Sequence, residues 1–130
     1  MPKELRKVGL KDGKFFPCVS KHVCVSTQSA QEDKKHYIKS IKYEGSRKDA
    51  LNKIINAIKS FDRTKMIEKT DDYLHIEFTT ALFKFHDDVE FYFDEEAKII
   101  HFKSQSRIGG YDWGANRKRM EKIRALYHSS

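Results

Sequence analysis

The apolar residues of the chain follow two helical patterns. Between residues 46 and 61 they recur at the spacing of one helix face. These positions are Ala50, Leu51, Ile54, Ile55, Ile58 and Phe61. Ser46 is a suitable N-cap, and Asp49 places negative charge near the positive end of the helix dipole. A second helix is predicted over residues 116–127 by a stripe of Met120, Ile123, Leu126 and Tyr127.

Three segments between these helices alternate apolar and polar residues. They cover residues 73–80, 88–94 and 98–104, and a shorter strand is expected around residues 65–69. A period of two predicts antiparallel strands with one buried face. The order of helix, strands and helix therefore predicts an α+β two-layer fold. We expect an antiparallel meander sheet of about four strands, with both helices on one face and an irregular N-terminal arm.

The alternation also predicts how the last two strands pair. If Glu95 and Glu96 form a two-residue turn, Val89 pairs with Phe102 on the apolar face. The other face carries His75, Glu77, Glu90 and His101. Charge pairing across an exposed sheet face explains these residues, and their spacing matches no common metal site. We therefore expect no metal there.

The first 35 residues are polar and irregular, and a chain of 130 residues is expected to form one domain. We expect residues 1–35 to form an extended arm over a domain of residues 36–130, with residues 36–43 as a short edge strand or lead-in. Cys18 and Cys24 of the arm would keep a disulfide only in an oxidising compartment. With His22 they would instead form a metal cluster, although this spacing matches no common site. The residues alone leave both alternatives open.

The net charge of +7 is concentrated at the two ends of the chain. Residues 1–35 carry eight Lys or Arg against four Asp or Glu, and residues 116–130 carry five against one. No RNP-type strand or zinc-finger spacing is present, so we expect no specific nucleic-acid binding. No apolar run is long enough to span a membrane, and no apolar signal segment follows the first residues. The sequence therefore predicts no membrane span and, as the chain stands, a cytoplasmic location.

The strongest candidate site lies in residues 103–119, between the last strand and the last helix. The candidate ligand-binding residues are Ser104, Ser106, Arg107, Asp112, Asn116, Arg117, Arg119 and Asp87. Arg117 and Arg119 stand at the positive end of the helix dipole, where cations are disfavoured unless negative charge is nearby. Asp112 or a bound phosphate or carboxylate would supply that charge. In the alternative, Arg107 and Arg117 pair with Asp112, Asp87 or Asp88 and only fix the loop to the sheet.

An enzymatic function would depend on Asp87 and Asp88. Adjacent residues of a strand point to opposite faces, so the two carboxylates cannot share a proton without a bulge. No glycine-rich phosphate loop, nucleophile elbow, paired-histidine zinc motif or Cys-x-x-Cys occurs, and no cofactor is expected.

Three segments, in order, resemble those of an uncharacterised family, domain of unknown function 1499 (DUF1499). They are Cys-x5-Cys-Val-Ser at residues 18–26, Phe-x-Asp-Asp-Val-Glu-Phe at residues 85–91, and Ser-x-Ser-Arg-x-Gly leading to Asp-x-Gly-x-Asn-Arg-x-Arg at residues 104–119. The chain departs from the family pattern at Lys21, His22, Val23, Gln105, Gly110 and Tyr111. The resemblance covers residues 16–124 and implies a fold and shared positions, but no activity. Because members of that family are often exported or lumenal, it also implies a periplasmic or lumenal location as the alternative.

We therefore predict a small non-enzymatic binding or accessory module that recognises an anionic group on a small molecule or a protein partner. The alternative is an enzyme that uses Asp87 or Asp88 with Arg107 and Arg117 on a phosphorylated or carboxylated substrate. The ligand and the oligomeric state stay open.

Overall fold

A computed structural model describes residues 7–130, which contain eight strands and two helices. Residues 1–6 of the predicted arm lie outside the described residues. The strands are β1 (Leu10–Lys11), β2 (Lys14–Phe15), β3 (Cys24–Ser26), β4 (Ile41–Lys42), β5 (Thr64–Lys69), β6 (Tyr73–Thr79), β7 (His86–Asp94) and β8 (Ile99–Ser106). The helices are α1 (Arg47–Ile58) and α2 (Ala115–Ser129). The predicted α+β class with two helices and a mostly antiparallel sheet is confirmed.

The prediction of about four strands was wrong. The main sheet has six strands in the order β3-β8-β7-β6-β5, with β4 also paired to β8, and β1 and β2 form a separate two-stranded sheet. β3 places Val25 opposite Ser104, and β4 places Ile41 opposite Ile100. These strands have three and two residues, too few to show an alternating pattern. Their pairing with the edge of β8 forms them, rather than any local signal.

Helix α1 begins as its sequence predicts. The side chain of Ser46 accepts a hydrogen bond of 3.0 Å from the backbone N–H of Asp49. This bond satisfies one of the donors that the first turn of a helix leaves free. The buried residues of α1 are Ala50, Leu51, Ile54, Ala57 and Ile58, and those of α2 include Met120, Ile123 and Tyr127. Both helices therefore bury the apolar stripes expected of them.

The hydrophobic core lies between the helices and one face of the sheet. It joins the helical residues to the apolar side chains of the three longest strands, among them Phe91, Phe93 and Phe102. All three phenylalanines are fully buried. A fully buried side chain of this size contributes about 1.5–3 kcal/mol through loss of apolar surface from water. The central strands β7 and β8 thus hold both helices on the sheet.

The pairing of β7 with β8 differs from the prediction by two residues. Phe91, and not Val89, lies opposite Phe102, because a four-residue connection separates Asp94 from Ile99. Lys98 closes this turn with a positive φ of 58°, and the backbone N–H of Ala97 donates to Asp94 Oδ1. A shift of two residues leaves each side chain on the same face. The predicted register was wrong, but the predicted apolar face is correct.

The second face of the sheet is buried, although it was predicted to be exposed. His75, Glu90 and Lys103 are only 1–3% exposed. Residues 7–16 cross this face: the backbone N–H of Gly9 donates to Glu90 Oε2, and Lys103 Nζ donates to the carbonyl of Phe16. No short-range pattern reveals this cover, because the covering segment is distant in sequence.

Leu74 and Leu82 allow a matched test of which side chains belong to the core. Leu74 is 0% exposed and Leu82 is 80% exposed. We expect Leu74→Ala to lower the free energy of unfolding by about 2–5 kcal/mol through loss of packing and cavity formation. Leu82→Ala should change it by less than about 0.5 kcal/mol. Urea unfolding followed by circular dichroism measures both, and equal losses would contradict the assigned core.

Candidate functional site

The candidate residues separate into three groups. Those on the helix side of the sheet form one buried network: Asp87, Ser104, Ser106, Asp112, Asn116 and Arg119. Arg107 lies on the opposite face of the sheet with Asp88. Arg117 projects outward towards the carbonyls of Lys34 and Lys35. The eight residues do not converge on one ligand site.

The helix-side network fixes the start of α2 to β8. Ser104 Oγ donates to Asn116 Oδ1 at 2.6 Å, and Asn116 Nδ2 lies within hydrogen-bonding distance of Ser106 Oγ, Asp112 Oδ2 and the Val23 carbonyl. Asn116 is fully buried. Because its amide donors and acceptor are all used by protein groups, this side chain positions the helix and is not free to bind a ligand.

Arg119 links the same network to β7. Its Nη2 donates to Asp87 Oδ2 at 2.6 Å, and its Nη1 donates to Ser104 Oγ at 3.1 Å. The guanidinium also lies 4.9 Å from the centre of the Phe78 ring. Both charged side chains are almost completely buried. The second oxygen of Asp87, Oδ1, is buried without a hydrogen-bond partner among the described residues.

Asp88 lies on the other face of the sheet, which residues 7–16 cover. Arg107 donates to both of its carboxylate oxygens, at 3.0 and 2.9 Å, and also contacts Glu77 Oε2 at 2.8 Å. His75 Nε2 lies 2.8 Å from Asp88 Oδ1. Burial by itself would raise the pKa of Asp88, but the hydrogen bonds from His75 and Arg107 outweigh it and hold the pKa at about 2. The hydrogen bonds that Arg107 donates to Asp88 correspondingly raise the pKa of Arg107.

The two adjacent aspartates therefore lie on opposite faces, as the alternation predicts. Each one is paired with a different arginine, Asp87 with Arg119 and Asp88 with Arg107. Two carboxylates separated in this way cannot exchange a proton with each other. Of the two arginines that the sequence alternative paired with aspartates, Arg107 contacts Asp88, whereas Arg117 makes no ion pair with another described residue. The pair of Arg119 with Asp87 was not part of that alternative.

Glu90 and Lys103 complete the buried polar face. Burial raises the pKa of Glu90 and lowers the pKa of Lys103. Glu90 accepts a hydrogen bond from the Tyr73 hydroxyl, and Lys103 Nζ donates to the carbonyls of Lys7 and Phe16. These hydrogen bonds offset the free-energy cost of burying the two charged side chains, and they attach residues 7–16 to the sheet.

One group of side chains near Arg117 was missed by the sequence reasoning. A surface cleft of about 450 Å³ lies between residues 21–25, 34–35 and 111–117. We call it the basic cleft; its cations are Lys21, Lys34, Lys35 and Arg117. The lysines come from the predicted arm, whose excess of basic residues was the only signal for them in the sequence.

Aromatic rings form the other wall of the basic cleft. His22 and Tyr111 stack with their ring centres 4.1 Å apart, and Trp113 lines the cleft while remaining 82% exposed. Asp112 is the only carboxylate of the lining. Its oxygens accept hydrogen bonds from the backbone N–H groups of Gly114, the N-cap residue of α2, and of Asn116. Asp112 thus places negative charge at the start of α2, as one of the two sequence alternatives expected.

Cys18 and Cys24 form a disulfide beside the cleft. This pairing settles the alternatives that the sequence left open, because oxidised sulfurs are not available as metal ligands. The disulfide closes the loop that carries Lys21 and His22 and joins it to β3. Part of the basic cleft is thus held in place by a covalent bond.

The fold defines a small α+β domain with a cleft on its surface. The chain belongs to the family described as protein of unknown function (DUF1499), whose model matches residues 14–126. A search of curated proteins found no match. Within residues 7–130, neither helix has the length and apolar character needed to cross a membrane.

The pairing of Asp88 predicts a dependence of stability on pH. Its folded pKa of about 2 lies below the ordinary value of 3.8. Its stabilisation is therefore present above about pH 4 and is lost as the pH falls through 2. At pH 6, Asp88→Asn should cost about 3 kcal/mol, the lower end for a broken buried ion pair, because it removes the carboxylate that Arg107 contacts twice and leaves Glu77 as its remaining ion partner. The difference from wild type should shrink on acidification, as urea unfolding between pH 6 and 2 would show.

Asp71→Asn, at an exposed position, is the control for this experiment. Its pH dependence should follow that of the wild type. Equal pH dependences for the wild type and Asp88→Asn would contradict the assigned pairing.

The disulfide predicts that unreduced, unfolded protein has no thiol that reacts with a thiol reagent. Replacing both cysteines by serine should lower the free energy of unfolding by about 2 kcal/mol, because the short loop is no longer constrained in the unfolded chain. Thiol titration in denaturant and urea unfolding measure the two effects. Two reactive thiols in protein purified without reductant would contradict the pairing.

Proposed function

We propose that the protein is a non-enzymatic binding module whose basic cleft holds an anionic ligand that also carries a flat ring. The observation that supports this most is the charge of the cleft. Within residues 7–130, no ion pair is formed by any of its four cations, Lys21, Lys34, Lys35 and Arg117. Clustered cations that outnumber the single carboxylate of the lining and form no ion pair attract anions from solution.

The ligand chemistry follows from the side chains present. Arg117 suits a carboxylate or phosphate because its guanidinium can donate two parallel hydrogen bonds. The exposed ring of Trp113 and the stacked pair of His22 and Tyr111 offer flat surfaces for a second ring. A volume of about 450 Å³ is within the range of small-molecule sites. The predicted role of free N–H groups at the start of α2 is not part of this proposal, because Asp112 already accepts hydrogen bonds from two of them.

A second cleft, at the start of α1, is less suited to such a ligand than the basic cleft. It has a volume of about 540 Å³ and also contains four cations, Arg47, Lys48, Lys69 and Lys98. However, its lining contains two carboxylates, Asp71 and Glu95, and Glu95 pairs with Arg47 at 3.3 Å. One of its cations thus already has a counter-charge, and no aromatic ring lines it.

The enzymatic alternative gains no support from the geometry. Asp87 and Asp88 are both buried and paired with arginines on opposite faces of the sheet, so neither faces the basic cleft. The disulfide favours the exported or lumenal location over the cytoplasmic one, because disulfides persist in oxidising compartments. We include that location in the proposal.

The test is a titration with phenyl phosphate, which combines both ligand features, alongside inorganic phosphate and benzoate. At millimolar concentration, phenyl phosphate should raise the midpoint of thermal unfolding and shift the amide resonances of residues 21–25 and 111–117. Arg117→Gln and Lys35→Gln should each weaken binding about fivefold, the equivalent of about 1 kcal/mol for one exposed charged contact.

Lys65→Gln is the matched control, since it removes the same charge from an exposed position on β5. It should change the affinity by less than about twofold. Equal losses in all three variants would indicate only a general effect of net charge. Absence of any shift in the named amides of the wild type would overturn the proposal.

A further inference from the structure

Seven of the ten exposed large hydrophobic side chains among the described residues lie on three loops at one end of the main sheet. The loops are residues 18–23, 80–85 and 107–114. They lie together because β6 and β8 end, and β3 and β7 begin, at this end of the main sheet. We call this surface the loop end. Its exposed apolar residues are Val19, Leu82, Phe83, Phe85, Ile108, Tyr111 and Trp113.

These side chains have no role in the core that would explain their chemistry. Leu82 is 80% and Phe83 67% exposed, and neither belongs to the hydrophobic core cluster. Phe83 stacks on Phe85 with ring centres 5.5 Å apart, so the two rings form one apolar projection. Contiguous exposed apolar surface of this kind marks an interaction site more often than chance exposure does.

The shape of the loop end favours a flat partner. The cavity beside Phe85 and Ile108 measures about 180 Å³, which is below the range of small-molecule sites and too small for a helix or peptide. The apolar side chains are carried by three separate loops and project from them. Projecting side chains of this kind can enter a lipid membrane at the boundary between its headgroups and acyl chains, where tryptophan and tyrosine rings are stable.

The charges at this end are complementary to an anionic surface. Lys84 lies between Phe83 and Phe85 at the tip of its loop, and Lys21 lies beside Val19; both are exposed, and neither forms an ion pair with a described residue. Arg117 adds a third cation behind Trp113. Apolar and aromatic tips among lysines are typical of proteins that lie on anionic membranes.

We propose that the loop end docks the protein on an anionic lipid surface, with the tips of residues 82–85, 108 and 113 entering the interface. Lys21, Trp113 and Arg117 serve both proposals, but the loop of residues 80–85 is not part of the basic cleft, so this docking does not require a ligand in the cleft.

The chain provides its own probe, because Trp113 is its only tryptophan and is 82% exposed. Vesicles of phosphatidylcholine containing phosphatidylglycerol should shift its fluorescence emission to shorter wavelength and should sediment the protein. Vesicles of phosphatidylcholine alone should bind at least about tenfold more weakly. High salt should weaken, but not abolish, binding to the anionic vesicles, since the apolar contribution does not depend on ionic strength.

The double variant Leu82→Ser/Phe83→Ser should reduce binding to anionic vesicles at least about tenfold. Met66→Ser/Ile67→Ser is the matched control, because both side chains are about 40% exposed but lie on β5, away from the loop end. It should bind like the wild type. Thermal unfolding of both variants verifies that each is folded.

The outcomes are distinct. An unchanged tryptophan spectrum with no sedimentation would overturn the proposal, and a protein partner would then have to account for the loop end. Sedimentation that is equal for the wild type and Leu82→Ser/Phe83→Ser, and that high salt abolishes, would show adhesion by charge alone and would also overturn it. Vesicle binding that persists when phenyl phosphate fails to bind would remove only the proposed ligand of the basic cleft.

Discussion

Strand β7 is buried on both of its faces, and this constraint determines the use of charge around it. Its adjacent aspartates point to opposite sides, and a buried carboxylate without a partner would cost several kcal/mol. Asp87 is paired with Arg119 of α2, and Asp88 with Arg107 at the end of β8. One pair places the helix on the core, while the other holds the end of the neighbouring strand against the covered face. The positions of the last strand, loop and helix all depend on these two contacts.

The loop between β8 and α2 is consequently fixed at both ends and free in its middle. Arg107 holds one end, and Asp112 and Asn116 hold the other through the cap and the buried amide network. Ile108, Tyr111 and Trp113 remain exposed between them. The polar residues of this segment thus supply its rigidity, and its apolar residues are left to face solvent or a partner. This division places several of the residues that look most functional in the sequence in hydrogen bonds and ion pairs within the protein.

Long local patterns were sufficient to predict much of the fold. The period of 3.6 located both helices and the period of two located β6, β7 and β8, because these elements bury one regular face. Strands β3 and β4 exist only through pairing with β8, and the cover over Glu90 comes from residues 7–16. The candidate site was predicted as one group because its residues are contiguous, but a strand followed by a loop and a helix distributes them over different faces. Lys34 and Lys35 reach the cleft only through the tertiary fold.

Cations from both basic ends of the chain meet on one surface for a simple topological reason. β3 lies beside the end of β8, and α2 begins shortly after that end. Lys21, Lys34 and Lys35 from the first end therefore meet Arg117 from the second. A positive field concentrated at one place attracts and orients an anionic partner at distances beyond contact, up to about 10 Å at moderate salt. The exposed aromatic and aliphatic side chains lie at this same end, so in the proposed docking an approach directed by charge brings them first to the lipid surface. The order of the strands thus brings together cations and exposed apolar side chains that show no relation to each other in the sequence.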